Sequence, residues 1–380
     1  MTFVEREERR FMTGNEVVAW AAAAAGADMM CGYPITPQNE IMHTWAVLAK
    51  EHGLGFLQTE DELSAGFATI GAVMAGRRAF SATAGPGNIL MQEPISMAEM
   101  MRIPAVWIIQ QRGGPSTATV IYSQQEVRLT CLGGNGEGHR IVYSTSSHQD
   151  LFDYTIKAFA TAWRTRFPTF VLGDGYQAKM LEALTLYNPE DRGLPLATPE
   201  PFVGKPGTPG QDRLPAHFRN TFSIEDELYE VLTLNIRDYE ETAPDLVEFE
   251  QDGCEGAEAV LVAHGIVSRA AREAAQALRA RGVRAGYFRP ITLRPFPGAA
   301  LADAVRGAGW LLVVESAYGQ LESLVREGLY GRATVNVRTY LRPGVGITAE
   351  EIVDAVEGGD GHAGSTVVLG PRAEGQVGAG

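Results

Sequence analysis

The sequence has few of the residues that bind metal ions and iron–sulfur clusters. Its 380 residues include three cysteines, Cys31, Cys131 and Cys254, which lie far apart and form no CxxC pair. Iron–sulfur clusters and structural zinc sites usually need closely spaced thiolates. We therefore expect neither within this chain.

Histidine is also scarce, with seven residues in the chain. His139, His148 and His264 have no spacing that is typical of a catalytic triad or a metal-binding pair. We expect a structural role for each of them and no metal ligands.

Positive charge and long apolar runs are missing as well. The chain carries 32 Lys and Arg against 46 Asp and Glu, a formal net charge of −14, which argues against binding to nucleic acid or to anionic membranes. The start MTFVEREERR does not resemble a signal peptide, and no apolar run approaches the roughly 18 residues of a membrane span. We expect a cytoplasmic protein.

What the sequence does contain is an α/β pattern with a break in it. Apolar strand-like runs alternate with helical patterns over 1–186 and again over 256–345, which predicts two α/β domains with parallel sheets. The intervening 187–255 is proline-rich and then acidic, and predicts a linker or arm, partly extended against a partner over 225–251. We expect the Gly-rich end of the last segment, 346–380, to be partly mobile.

The stretch CGYPITPQNEI follows a predicted buried strand and contains two prolines around one threonine. Proline fixes φ and restricts the residue before it, so Tyr33, Pro34, Ile35, Thr36 and Pro37 should form a stiff turn. Such a turn would hold the Thr36 hydroxyl at the end of a strand. The stretch alone is compatible either with a ligand site or with a plain strand-to-helix connection.

Three acidic residues precede an almost wholly apolar helical pattern, LSAGFATIGAVMAG. Acids in a first helical turn are favoured by the helix dipole, which is sufficient to explain them. Alternatively, Glu62, which begins the helix, lies near a dry site. Burial would then raise its pKa and suit it to proton exchange.

Two glycine-containing loops follow predicted strands. In ATAGPGN, Gly85 and Gly87 would let the backbone approach a ligand, although a plain tight turn explains the pattern too. In QRGGPST, Arg112 could offer its guanidinium to a carboxylate, or it could be an ordinary surface arginine.

A third motif, GDG at 173–175, matches the start of the signature that binds a diphosphate through a metal ion. The signature needs an asparagine ligand further along the chain, but Asn188 is too close and Asn220 too far. We interpret GDG as the end of a strand and predict no metal site there.

Taken together, YPITP, QTEDELSAGFATIGAVMAGRRAFSATAGPGNILMQE and QRGGPST resemble, in order and spacing, the α subunit of 2-oxoacid:ferredoxin oxidoreductases. The resemblance includes the start TGNE and resumes in the second predicted domain, where 260–297 is similar to the transketolase C-terminal-type domain. It covers roughly 13–185 and 256–345. The order of three motifs is far more specific than any one of them.

The resemblance implies a pyrimidine-binding domain that holds the aminopyrimidine of thiamine diphosphate, while a separate β subunit binds the diphosphate and Mg²⁺. It also implies iron–sulfur clusters in partner subunits, such as a ferredoxin-like δ subunit, a separate γ-type subunit, and coenzyme A as cosubstrate. This division would explain the incomplete GDG motif and the lack of cluster cysteines.

Carried over by position, Glu62 would hydrogen-bond the pyrimidine N1′ and promote the imino tautomer that generates the reactive ylid. Arg112 would bind the substrate carboxylate, and Thr36 would donate to the carboxylate or the 2-oxo group. The remaining expected cofactor-binding residues are Tyr33, Pro34, Ile35, Gly85 and Gly87.

The substrate is left open between 2-oxoglutarate and a branched-chain or aryl 2-oxoacid such as phenylglyoxylate. Relatives that act on 2-oxoglutarate often continue the GG of the arginine loop as GLPT with polar residues after it, whereas this chain continues ATVIYS. A transketolase-like thiamine enzyme without an electron-transfer chain is the alternative function. A non-catalytic scaffold is a third possibility, disfavoured by the presence of Glu62, Thr36 and Arg112.

Overall fold

The structure, a computed structural model, describes residues 3–203 and 218–358 together with the backbone of residues 367–369. The elements of its N-terminal part are β1 (Glu8–Thr13), α1 (Gly14–Ala24), β2 (Met29–Gly32), α2 (Asn39–His52), β3 (Gly55–Gln58), α3 (Glu62–Met74), β4 (Ala79–Thr83), α4 (Pro86–Leu90), α5 (Gln92–Met100), β5 (Val106–Gln111), α6 (Val127–Leu132), β6 (Ile141–Ser144), α7 (His148–Thr165), β7 (Thr169–Asp174), α8 (Gly175–Lys179) and β8 (Leu181–Leu186).

The elements that follow are α9 (Glu225–Thr242), β9 (Phe249–Asp252), β10 (Ala259–Val262), α10 (Val267–Ala280), β11 (Ala285–Pro290), β12 (Thr292–Arg294), α11 (Gly298–Ala304), β13 (Trp310–Glu315), α12 (Gln320–Leu329), β14 (Asn336–Leu341), α13 (Ala349–Glu357) and β15 (Val367–Leu369). No helix among the residues described has both the length and the apolar character needed to cross a bilayer.

The first sheet has seven strands, in the order β12-β6-β7-β5-β4-β2-β3. All its neighbouring strands run parallel except β12, which is antiparallel to β6. Strands β4, β5 and β7 are buried along their whole length, as expected for parallel strands covered on both faces. The carboxyl ends of β2, β4, β5 and β7 therefore meet along one edge.

A second sheet has the order β15-β14-β13-β10-β11-β9, parallel except for the edge strand β9. Buried side chains on one face of this sheet, for example Val260 and Val313, belong to the same hydrophobic cluster as Trp107 and Phe170 of the first sheet. The predicted α/β class with two parallel-sheet units is confirmed. Strand β12 is donated by the second unit to the first sheet, so the two units share a sheet as well as a core.

Buried polar contacts also join the two units. Arg289 on β11 donates to Asp150 at the start of α7 and to the carbonyl of Ser144 at 3.1 Å. The Nδ1 atom of His264 lies 2.9 Å from Ser144 Oγ, and burial lowers the pKa of His264 to about 3. A neutral, buried His264 agrees with the structural role expected from the sequence.

Local sequence signals explain where the helices near the site begin. Thr13 and Glu16 form a capping box at the start of α1, and Ser147 accepts from the backbone N–H of Asp150 at the start of α7. Both satisfy backbone donors that a helix start leaves unpaired.

The expectation of a partly extended chain over 225–251 holds only for its end: Phe249–Asp252 is the strand β9, whereas Glu225–Thr242 forms the 18-residue helix α9. The acidic residues in its first turn suit the helix dipole, and Tyr239 is its one buried residue. Met91 separates helix α4 from helix α5. Within the segment expected to be partly mobile, α13 and β15 are regular elements, and residues 359–366 and 370–380 lie outside the described residues.

The buried Arg289 contact yields a prediction about stability. Arg289→Ala should lower the free energy of unfolding by about 3 kcal/mol, because removing one partner of a buried pair leaves the other uncompensated. Burial tends to raise the pKa of Asp150, but Arg289 and hydrogen bonds outweigh it and lower the pKa. The difference from wild type should therefore be present at neutral pH and shrink as the pH falls below about 3.9. Urea unfolding at several pH values measures this.

The matched control is Arg281→Ala, which removes an exposed arginine that pairs with Glu357. Exposed ion pairs contribute at most about 1 kcal/mol. Equal losses in the two variants would contradict a special role for Arg289.

Candidate active site

The predicted site residues follow neighbouring strands of the seven-stranded sheet. The YPITP turn follows β2, Glu62 follows β3, the Gly85–Gly87 loop follows β4 and Arg112 follows β5. In parallel sheets ligands bind at the carboxyl ends of the strands. The fold thus brings all the predicted site residues to one edge.

The YPITP turn is held from both sides. Gln38 Nε2 donates to the carbonyl of Tyr33 at 2.9 Å, and Asn15 Nδ2 donates to the carbonyl of Pro37 at 2.6 Å. The Thr36–Pro37 peptide bond is cis, and Asn39 Nδ2 lies 3.4 Å from Thr36 Oγ1. The turn is therefore a fixed element with Thr36 at its tip.

Glu62 is the first residue of α3, directly after the N-cap Asp61, whose side chain accepts from the backbone N–H of Ser64. The Glu62 residue is only 4% exposed. Burial raises the pKa of its carboxyl group, its own backbone N–H offsets this in part, and the charge of Asp61 adds to it. The environment favours a carboxyl group that can hold a proton.

A small polar cradle adjoins Glu62. A Cβ atom on Gly87 would lie 2.5 Å from Glu62 Oε1 and 2.1 Å from Thr83 Oγ1, so only glycine fits there. The Thr83 hydroxyl is buried and has no hydrogen-bond partner among the described residues. A buried hydroxyl without a partner therefore lies beside an acid of raised pKa, and both groups can hydrogen-bond to a polar ligand.

Arg112 bridges two loops. Its Nη1 donates to the carbonyl of Thr36 at 2.8 Å, and its Nη2 donates to the carbonyl of Thr117. The Nε atom is buried without a partner among the described residues, and the side chain passes over Gly85, where a Cβ would lie 2.7 Å from Arg112 Cδ. The guanidinium is thus placed beside Thr36, as the substrate-binding interpretation requires.

Gly85 does not present its backbone N–H to the site. That group donates to Glu126 Oε1 at 2.8 Å, and the loop glycine instead makes room for Arg112. The helix after this loop is only five residues long. The structure therefore supports one main role for Gly85, which is to leave room for the Arg112 side chain.

Glu126 is a residue that the sequence patterns did not indicate. It is buried, and besides Gly85 it accepts from the backbone N–H of Arg112 at 2.8 Å and from Asn88 Nδ2 at 3.0 Å. No periodicity or motif marks it, since it lies between a Gly/Pro loop and a short helix. Only the folded arrangement shows that its partners come from two different strand ends.

The GDG stretch has a packing role in this structure. Asp174 ends β7 and accepts from the backbone N–H of Gln177 at 2.9 Å, and burial raises its pKa to about 7 despite its backbone hydrogen bonds. A Cβ on Gly175 would lie 2.1 Å from the carbonyl oxygen of Val120. Among the described residues there is no group of three or more His, Cys, Asp or Glu that could hold a metal ion.

Two family models together match most of the chain. The model described as pyruvate flavodoxin/ferredoxin oxidoreductase, thiamine diphosphate-binding, matches residues 20–248. The model described as pyruvate:ferredoxin oxidoreductase core domain II matches residues 257–352.

Individual relatives point the same way. The chain is 33% identical to 2-oxoglutarate synthase subunit KorA of Methanothermobacter thermautotrophicus, over 87% of this chain and 93% of the relative. It is also 33% identical to ketoisovalerate oxidoreductase subunit VorB of Methanothermobacter marburgensis, over 83% and 89%.

A solved structure of 2-oxoglutarate:ferredoxin oxidoreductase from Magnetococcus marinus, with 2-oxoglutarate, coenzyme A and succinyl-CoA bound, superposes with a TM-score of 0.79 at 25% identity. The match covers 92% of this chain and 65% of the chain in that structure.

The cradle around Gly87 yields a prediction about catalysis. In Gly87→Ala the new methyl group would collide with Glu62 and Thr83, and displacing a catalytic group by about 1 Å can cost roughly 100-fold in rate. We expect kcat of the assembled enzyme to fall by about that factor and thiamine diphosphate to bind more weakly. Steady-state kinetics and cofactor titration measure the two effects.

Gly71→Ala is the matched control, because it makes the same substitution on α3 where nothing lies within 4 Å of the added atom. Wild-type turnover in Gly87→Ala would show that the cradle does not position Glu62.

Proposed function

We infer the function from one premise: this chain belongs to the thiamine diphosphate-binding family of 2-oxoacid:ferredoxin oxidoreductase subunits. Within that family it is an α-type subunit of an enzyme that oxidises a 2-oxoacid. We propose that residues 1–186 act as the pyrimidine-binding domain, 187–255 as a connecting arm and 256–345 as the transketolase C-terminal-like domain.

The observation that carries the proposal is the juxtaposition of Glu62, Thr83 and Gly87 with Arg112 and Thr36 at one sheet edge. Bound thiamine diphosphate supplies the carbon nucleophile and electron sink that decarboxylation of a 2-oxoacid requires. Glu62 holds a proton between its carboxyl oxygen and a pyrimidine nitrogen, for which its raised pKa is suited. The glycine at 87 leaves room for the ring beside that oxygen.

Arg112 and Thr36 bind the carboxylate and 2-oxo end of the substrate. The Arg112 guanidinium lies against the turn that carries Thr36, and its Nε atom is free of partners among the described residues. A charged planar donor group both attracts a carboxylate and orients it. Since the turn is fixed by Gln38 and Asn15, little side-chain freedom is lost when substrate binds.

A β-type subunit completes the cofactor site by binding the diphosphate and Mg²⁺. Supporting this, Asp174 of the GDG stretch is occupied in capping α8. Apolar side chains on β3, α3 and α4, next to the Glu62 cradle, are exposed: Phe56, Leu57, Leu63, Phe67, Ile89 and Leu90. An exposed apolar patch of this kind is typical of a protein interface.

The electron path lies in other subunits, including iron–sulfur centres in a ferredoxin-like δ or related chain, with a separate γ-type subunit. The three cysteines here are buried and unpaired with one another, and burial raises the pKa of each thiol. Buried thiols of this kind are poor cluster ligands. Coenzyme A is the proposed acyl acceptor.

The substrate side chain is proposed to be apolar, as in a branched-chain or aryl 2-oxoacid. The loop GGPSTATVIYSQQ after Arg112 contains no Lys, Arg or His, so it offers no partner for a second carboxylate. Its Val120, Ile121 and Tyr122 are at least partly exposed. 2-Oxoglutarate is the second candidate, favoured by the relatives named 2-oxoglutarate synthase.

The test uses the native complex isolated through this chain. Branched-chain, aryl and simple 2-oxoacids and 2-oxoglutarate are each supplied with coenzyme A, and thiamine-dependent reduction of a viologen dye is followed. We expect turnover to be fastest with an apolar 2-oxoacid. Preference for 2-oxoglutarate would refute the side-chain assignment, and silence in a complex containing thiamine diphosphate and iron would refute the reaction.

Glu62→Gln should lower kcat by at least about 100-fold, the usual contribution of a positioned acid–base group, while the complex still assembles. Glu60→Gln is the matched control, since Glu60 is an exposed carboxylate two residues earlier and should leave kcat unchanged. Retained turnover in Glu62→Gln would mean that another group activates the cofactor.

A further inference from the structure

Three consecutive residues, Gln124, Gln125 and Glu126, each bind a different part of the molecule. Gln124 contacts the second unit. Its Nε2 donates to the carbonyl of His264 at 2.8 Å, and its Oε1 accepts from the backbone N–H of Ser316 at 2.9 Å. The backbone of Gln124 also donates to the Ser316 carbonyl at 3.0 Å. This end of the segment is therefore fixed to the ends of β10 and β13.

Gln125 closes the loop that begins after Arg112. Its Oε1 accepts from the backbone N–H of Gly114 at 3.0 Å and from Ser123 Oγ at 3.1 Å. The loop is consequently tied across its base. Movement of residues 114–123 as a whole would break this contact.

Glu126 lies where the chain returns to the sheet edge. Its Oε1 accepts two backbone N–H groups, those of Gly85 and Arg112, both at 2.8 Å. Gly85 leaves β4 and Arg112 leaves β5, so one oxygen atom fixes the distance between the two strand exits. A carboxylate that is buried needs such partners, and burial raises the pKa of Glu126 even with them.

Gly85 and Arg112 also contact each other directly, because the Arg112 side chain passes over Gly85 to reach Thr36. The direction of a side chain depends on where its own backbone is held. Fixing the Arg112 N–H therefore fixes the origin of the guanidinium, and fixing Gly85 fixes the surface on which its methylene groups rest.

We propose that Glu126 is a positioning residue for Arg112: its Oε1 oxygen, by holding the backbone N–H groups of Gly85 and Arg112 together, sets the guanidinium beside Thr36. The proposal rests on the proposed function in so far as Arg112 binds the 2-oxoacid carboxylate. Glu126 itself touches neither substrate nor cofactor in this assignment.

The geometry requires an oxygen acceptor at the right reach, and it does not require a negative charge. Glutamine offers the same oxygen at the same reach. Its NH₂ group would face Asn88 Nδ2, so the Asn88 hydrogen bond is lost while both backbone contacts are kept. Aspartate keeps the charge but withdraws the acceptor by roughly one bond length, about 1.5 Å. Hydrogen bonds of 2.8 Å do not survive that withdrawal unless the backbone moves.

The experiment compares Glu126→Gln and Glu126→Asp in the assembled complex. The 2-oxoacid KM and kcat are measured by dye reduction, and hydrogen–deuterium exchange is followed in peptides that contain Gly85 and Arg112. We expect E126D to raise KM by roughly 10- to 100-fold with a smaller change in kcat, and to speed exchange at both amides. E126Q should resemble wild type in both measurements.

The matched control is Glu99→Asp. Glu99 is also buried and accepts a backbone N–H, that of His139 at 3.0 Å, while pairing with Arg140. It contacts neither Gly85 nor Arg112 in any hydrogen bond of the described residues. E99D should lower stability without raising KM, which separates positioning from general loss of packing.

A wild-type KM with wild-type exchange in E126D would overturn the proposal, as would an equal rise of KM in E99D.

If the wild-type complex oxidised none of the 2-oxoacids, the proposed function would fail, and amide exchange alone would decide the role of Glu126. If E126D did not assemble, exchange in E126Q would decide: protection equal to wild type supports the oxygen contact, and faster exchange at both amides refutes it.

Discussion

The whole site depends on the parallel arrangement of β2, β4 and β5. Parallel neighbours place their carboxyl ends at the same edge, so loops that are far apart in sequence arrive side by side. Thr36, Gly87 and Arg112 are separated by dozens of residues, yet each lies within a few residues of a strand end. An antiparallel order would have placed alternate loops on opposite edges and left Arg112 without contact to the YPITP turn.

The second unit also helps to hold the loops at this sheet edge in place. It is joined to the first unit by buried polar contacts as well as by a shared core. Arg289 is almost fully buried and joins β11 to the start of α7. Gln124 joins the loop after Arg112 to His264 and Ser316. Buried polar groups must be satisfied to be tolerated, so these contacts favour one relative placement of the two units. The loop beside Arg112 is thereby held by residues more than 100 positions away.

Much of this was predictable from the sequence, because the relevant signals are local. The turn expected over 33–37 lies between β2 and α2, and Glu62 begins α3 as its apolar pattern predicts. The roles of Glu126 and Gln124 were not predictable, since their partners are brought close only by folding. Helix α9 was missed because its acidic residues drew attention away from the helical spacing of Leu228, Val231, Leu232 and Tyr239.

Two of the buried polar groups that have no partner among the described residues lie at this sheet edge. The Thr83 hydroxyl and Arg112 Nε are buried without partners in the described residues, and leaving such a group unpaired costs about 1–3 kcal/mol. Burial raises the pKa of Glu62 as well. In the proposed assignment, a pyrimidine ring beside Glu62 and Thr83 and a carboxylate beside Arg112 would reduce these penalties. Ligand binding would then stabilise the chain through the same residues that the proposal assigns to catalysis.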